Sequence, residues 1–147
     1  MEALIGQFNN TLDEKGRIMF PSKLRSVLKQ NEVVVTQGLD HCLMLFTVEE
    51  WDALNNRILD SASLFDNKKR LVLRRFIAPA QKLEFDKSGR LSIPQSLREY
   101  AGLCGECTIL GVNKYMELWD SKIYDQYLME SEDSFQQAAE SMSDILL

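Results

Sequence analysis

The chain has 147 residues, 45% of them hydrophobic and 27% charged, which suits one globular domain of ordinary size with its own core. No stretch approaches the roughly 18 apolar residues of a membrane span, residues 1–10 lack the parts of a signal peptide, and three cysteines are too few for a disulfide framework, so a cytoplasmic protein without a membrane partner is expected. The net charge of −5 speaks against a polyanionic partner only until it is located: Glu130, Glu132, Asp133, Glu140 and Asp144 sit in a tail without Lys or Arg, leaving 17 basic and 17 acidic residues in 1–129.

In chain order, a short strand is predicted to lead into the turn Asp13-Glu14-Lys15-Gly16-Arg17, where Gly16 can take the positive φ of a tight reversal. A second short strand follows (Ile18 to Phe20), then Pro21 at the start of a short helix, Lys23 to Leu28. The β-rich run Glu32 to Gln37, a turn at Gly38 to His41 and a strand Cys42 to Phe46 precede a helix over Val48 to Leu59, with Trp51, Leu54 and Ile58 on one face. Asp66 to Ile77 carries an apolar stripe at Leu71, Leu73 and Phe76 that predicts a linker helix. The same series then returns. Phe85 to Arg98 (FDKSGRLSIPQSLR) repeats Leu12 to Arg25 (LDEKGRIMFPSKLR) at an offset of 73, pairing Asp13 with Asp86, Gly16 with Gly89 and Arg17 with Arg90. Without a gap, the offset also pairs Gly38 with Gly111 and Phe46 with Trp119. Helix Gln95 to Ala101, strands Cys107 to Val112 and Tyr115 to Trp119, and helix Ser121 to Leu128 complete the second copy. The tail is expected to fray or to form a short helix. Two copies of a small β–α unit cannot each bury much alone, so the expected fold is mixed α and β, with the halves sharing one small barrel about a pseudo-twofold axis. The division expected is 1–60 and 80–129 for the repeats, 61–79 for the linker and 130–147 for the tail.

The sequence offers little to catalysis. The single histidine, His41, falls in a turn, and no nucleophile-elbow, zinc-protease, Walker or dinucleotide pattern is present. Cys104-Gly105-Glu106-Cys107 has the spacing of a redox or zinc pair, but it lacks a second pair, and the constant offset maps Cys107 onto the core-strand position Val34. No metal and no cofactor are expected. The paired turns read differently. Lys15 and Arg17, with Lys87 and Arg90, surround a glycine in each copy, and arginine can clamp a guanine edge or a phosphate. Asp13 and Asp86 are placed to orient those arginines. The basic linker run Lys68 to Arg75 reads as a solvated helix face.

The doubled LDEKGRIMFP and FDKSGRLSIP, the GLDHCLMLF run, LREYAGL and MELW together resemble the MraZ family of bacterial regulators from Gly6 to about Tyr127. The resemblance implies a duplicated, AbrB-like swapped-hairpin barrel (an α+β double-split β-α-β fold with flanking helices) and no enzymatic activity. It implies a homo-oligomer, a ring-like octamer, that associates with the nucleoid. Such a ring would bind tandem repeats in double-stranded promoter DNA of a division and cell-wall gene cluster, repressing its own operon, with no small-molecule substrate. The family's DNA-contacting residues fall on Lys15 and Arg17 of the first turn; the second turn offers Arg90 and Lys87, with Ser88 standing where the first has Lys15, and Asp13, Gly16, Asp86 and Gly89 form the motif that shapes the turns. An antitoxin-type module and a structural oligomer are the alternatives.

Overall fold

The two copies of the repeat fold into matching runs of elements in the structure, a computed structural model that describes residues 2–61, 63 and 65–146. The first run is β1 (Leu4–Thr11), β2 (Arg17–Met19), α1 (Ser22–Arg25), β3 (Glu32–Gln37), β4 (Leu43–Phe46) and α2 (Val48–Leu59). Between the two runs lie α3 (Asn67–Val72) and a π-helical turn (Leu73–Ile77). The second run is β5 (Gln81–Glu84), β6 (Arg90–Ser92), α4 (Gln95–Ala101), β7 (Glu106–Asn113), β8 (Tyr115–Asp120) and α5 (Ser121–Glu130), followed by α6 (Glu132–Ser141) and α7 (Ser143–Leu146). The mixed α+β class is therefore observed, with a large antiparallel sheet. No helix among the described residues is long and apolar enough to cross a membrane.

Strands β3–β4 and β7–β8 pair within their own halves, and four other pairings cross between the halves. A six-stranded sheet runs β1-β7-β8-β4-β3-β5, and β2 pairs with β6 in a separate ribbon. The edge strands β1 and β5 each pair with a strand of the opposite half. At the ribbon centre Ile18 faces Leu91, its own repeat equivalent, and in the sheet Leu43 faces Leu118 while Leu45 faces Met116. Those reciprocal pairs place a pseudo-twofold axis through the ribbon and between β4 and β8.

The pairing corrects the constant offset inferred from sequence. Phe8 pairs with Ile109, and its equivalent Gln81 pairs with Val35, so β3 and β7 match at an offset of 74. Leu12 N–H donates to Gly105 O and Phe85 N–H donates to Asn31 O in the same relation. The extra residue lies just after α4, where Gly102 ends the helix at φ +65. A shorter turn before β8 removes it again. Cys107 is thus the counterpart of Val33, not of Val34, and both are fully buried.

One core lies between the sheet and the ribbon, joining Leu4, Ile18, Leu24, Val33, Val35 and Leu43 of the first half to Leu91, Leu97, Ile109 and Leu118 of the second. A second cluster, Val34, Met44, Phe46, Trp51 and Phe76, is covered by α2 and the π-helical turn. Thr47 caps α2 by accepting from Glu50 N–H at 3.1 Å, and its equivalent Asp120 caps α5 by accepting from Ile123 N–H at 3.2 Å.

Several local expectations shift. Pro21 and Pro94 stand at the N-cap, one place before the first helical residue. Helix α1 stops at Arg25 because Val27 and Leu28 already bond three residues back, to Leu24 and Arg25. Between the two runs, Phe76 is buried but Leu71 is 55% exposed, while Lys69 is buried and donates to Leu59 O. The Ala78-to-Leu73 bond widens that turn and breaks the 3.6-residue phase on which the stripe was predicted. The acidic tail is helical, and between 132 and 146 every residue but Ala139 is exposed.

Candidate nucleic-acid interface

Each turn is tied by its own aspartate. Asp13 Oδ1 accepts from the backbone N–H of Lys15 at 2.9 Å and of Arg17 at 2.8 Å, and Oδ2 accepts from Arg17 Nε at 2.8 Å. Asp86 does the same with Ser88, Arg90 and Arg90 Nε, each at 2.9 Å. The first contact alone is an Asx-type turn, which Asp forms readily because its short carboxylate reaches the backbone two residues on. Gly16 and Gly89 close the turns at φ +78 and +85, a region a side chain makes costly. Both carboxylates are held below the ordinary aspartate range, first by the arginine's backbone N–H, with the guanidinium and the second N–H adding to it and desolvation opposing. They therefore stay ionised at neutral pH. About a third of each partner is exposed, so solvent screens the pair and its main effect is orientation.

The turns do not fold β1 back onto β2 as a hairpin ladder. Strand β2 crosses to β6, with Arg17 opposite Ser92 and Met19 opposite Arg90. Ile18 and Leu91 point into the core, so alternation puts Arg17, Met19, Arg90 and Ser92 on the outer face. Arg17 and Arg90 are diagonal neighbours there, about 7–8 Å apart at the backbone. Lys15 and Lys87 are exposed at the two turns, which lie at opposite ends of the ribbon. The structure thus brings the two arginines onto one face and sets the two lysines at its ends.

Two more arginines belong to this surface and escaped the sequence reading. The guanidinium of Arg98 lies over Gly16 and that of Arg25 over Gly89, each reaching across to the other half. Phe20 N–H donates to Gly89 O at 3.1 Å and Ile93 N–H to Gly16 O at 2.9 Å, a second reciprocal pair of ties. The only signal in the sequence was that Leu-Arg recurs in both copies, which is equally consistent with two surface helices.

The other candidates stay apart. His41 is exposed and stacks edge-on with Tyr100. Cys104 is exposed and Cys107 is buried, with its thiol pushed up to about 12 mainly by desolvation. Among the described residues no group of three or more His, Cys, Asp or Glu could hold a metal ion.

A family model described as "MraZ protein, putative antitoxin-like" matches the chain twice, over residues 3–75 and 76–146. The chain is 52% identical over 142 residues to the protein named transcriptional regulator MraZ of Treponema denticola, covering 97% of this chain and 99% of that one. It is 45% identical over 145 residues to the protein of the same name in Treponema pallidum, covering 99% and 97%. Among solved structures, the solution structure of PHS018 from Pyrococcus horikoshii aligns with 78% of the chain and 96% of its own, at 16% identity and a TM-score of 0.35, too distant to define the fold.

Proposed function

The chain belongs to the MraZ family, whose members are transcriptional regulators and not enzymes, and from that premise we propose that it binds double-stranded promoter DNA through the outer face of the β2–β6 ribbon and its two turns. The observation that carries this reading is that Arg17 and Arg90 stand side by side on one exposed face, each aimed by an aspartate. A two-stranded ribbon is one of the two elements the major groove admits, and arginine is the side chain best suited to a guanine edge. Lys15 and Lys87 add phosphate contacts at the ends. The exchange of strands between halves favours an AbrB-like swapped-hairpin arrangement made within one chain.

One such face makes few contacts, so useful affinity needs several. A homo-oligomer, in our reading a ring-like octamer, would present the face repeatedly to tandem promoter repeats and gain avidity of order 10² to 10⁴. Seated over the promoter of its own division and cell-wall gene cluster, it would exclude polymerase and act as a cytoplasmic, nucleoid-associated autorepressor. No cofactor takes part.

A gel-shift titration on the DNA upstream of the chain's own gene tests this, with wild type and Arg17→Ala at two salt concentrations. Binding should be specific, should weaken with salt because counterion release gains less entropy in a more concentrated salt solution, and should drop at least tenfold in the variant. A correctly assembled wild type that shows no specific shift would leave the structural oligomer as the better reading.

A further inference from the structure

A groove of about 630 Å³ opens between α2 and α3, on the sheet face away from the ribbon. Met44 and Phe46 form its floor, Leu54 and Ile58 one wall, and Leu71 and Val72 the other. The last two are 55% and 43% exposed, unusual for adjacent apolar residues on a helix that already buries Phe76 beyond it. The rim carries the exposed cations Arg57, Arg75 and Lys114 against one acid, Glu50. No ion pair within 4 Å engages those three cations among the described residues.

The C-terminal helices have the complementary character. Phe135 and Ala138 on α6 and Ile145 on α7, with Met142 at the break between the two helices, form an interrupted apolar stripe, and Phe135 and Ile145 are 66% and 78% exposed. Their other positions carry four acids, Glu132, Asp133, Glu140 and Asp144, and no Lys or Arg. Phe135 and Ala138 border a shallow hollow with Tyr127 and Leu128 of α5, yet Tyr127, Leu128, Phe135 and Met142 all stay exposed, so one copy leaves this apolar surface uncovered.

We propose that α6 and α7 of one copy of this chain dock into the α2–α3 groove of a second copy, stripe into groove and acids against Arg57, Arg75 and Lys114. The pseudo-symmetric hollow beside α5 is the less suited seat, because Asp40 and Glu130 line it with Lys122 as the only cation. The inference deepens the self-assembly part of the proposed function and supplies its interface.

The test mixes two full-length chains, both Cys104→Ser, one carrying Ala138→Cys in the tail and the other Leu71→Cys in the groove, with a short bismaleimide. Light scattering of the untreated mixture gives the assembly size. A cross-link between the two chains is expected, falling at least tenfold when the groove chain also carries Arg57→Glu and Arg75→Glu. Glu132→Lys with Glu140→Lys on the tail chain should restore it. A cross-link indifferent to those charges would overturn the complementarity argued above. So would a chain carrying both cysteines that links only to itself. A multi-subunit assembly without the cross-link would sink this interface and leave the oligomer standing, whereas a monomer would sink both.

Discussion

The guanidinium of Arg98 covers Gly16 so closely that a Cβ on the glycine would lie 2.6 Å from Nη1. Arg25 covers Gly89 likewise, with Cζ 2.6 Å from the position of that Cβ. Each turn is therefore shaped from within by its aspartate and from outside by the helix of the opposite half. The two lids differ in one respect: Arg25 Nε donates to Phe20 O at 3.1 Å, while the buried Arg98 Nε has no hydrogen-bond partner among the described residues.

Gly16→Ala should cost about 1–2 kcal/mol for the left-handed backbone alone, with a further cost for displacing the guanidinium. Adding Arg98→Ala should remove the second part and keep the first. Urea unfolding of the two single variants and the double measures this. Strictly additive effects would mean that the glycine and the arginine do not meet.

The ion pairs should make the turns acid-sensitive in a defined direction. Asp13 and Asp86 have folded-state values below their ordinary range, so their contribution is complete above the unfolded value near 3.9 and is lost as pH falls through the lower folded values. Stability should decline on acidification below about pH 4, and Asp13→Asn with Asp86→Asn should flatten that limb. Thermal melts from pH 7 to pH 2 would reveal it, and an unchanged limb in the double variant would assign acid lability elsewhere.

Glu117 behaves in the opposite sense. Burial raises its carboxyl, Asp40 adds to the rise, and the hydrogen bond from Trp119 Nε1 at 3.0 Å opposes it. A raised folded value means that stability is lost as pH climbs from the unfolded to the folded value and stays lost above it. Glu117→Gln keeps an acceptor for the indole and should raise the urea midpoint at pH 7. The gain should shrink in acid, and a midpoint lowered at pH 7 would contradict this account.

Ile18 and Leu91 are both fully buried and face each other at the centre of the ribbon. Either one changed to Ala should cost about 2–5 kcal/mol. The pair together should deviate from additivity by at least about 0.5 kcal/mol, because one cavity is shared. Denaturation midpoints of the three variants decide the matter.

One thiol per native chain should react quickly with a disulfide reagent at pH 8. Cys104 is exposed, whereas Cys42 and Cys107 are buried and desolvation pushes both thiols up, Cys107 to about 12. The other two should appear only on unfolding. Two fast thiols would reopen a redox role for the Cys-x-x-Cys spacing.

The sequence by itself determined the elements that obey local rules. The repeated Asp-x-x-Gly-Arg turns form because the carboxylate reaches its own backbone and the glycine permits the reversal, and Thr47 and Asp120 start their helices for similarly local reasons. The duplication was legible, and with it the pairing of Arg17 with Arg90 as equivalents. Only the tertiary structure decided which strand meets which. Pattern and turn chemistry do not say that β2 passes its own neighbour to pair with β6, or that one residue after α4 moves β7 by a place. Arg25 and Arg98 became part of the site for the same reason. Their role depends on a contact across the pseudo-twofold axis, and such contacts are set by how two halves share a core, which no local stretch of either half encodes.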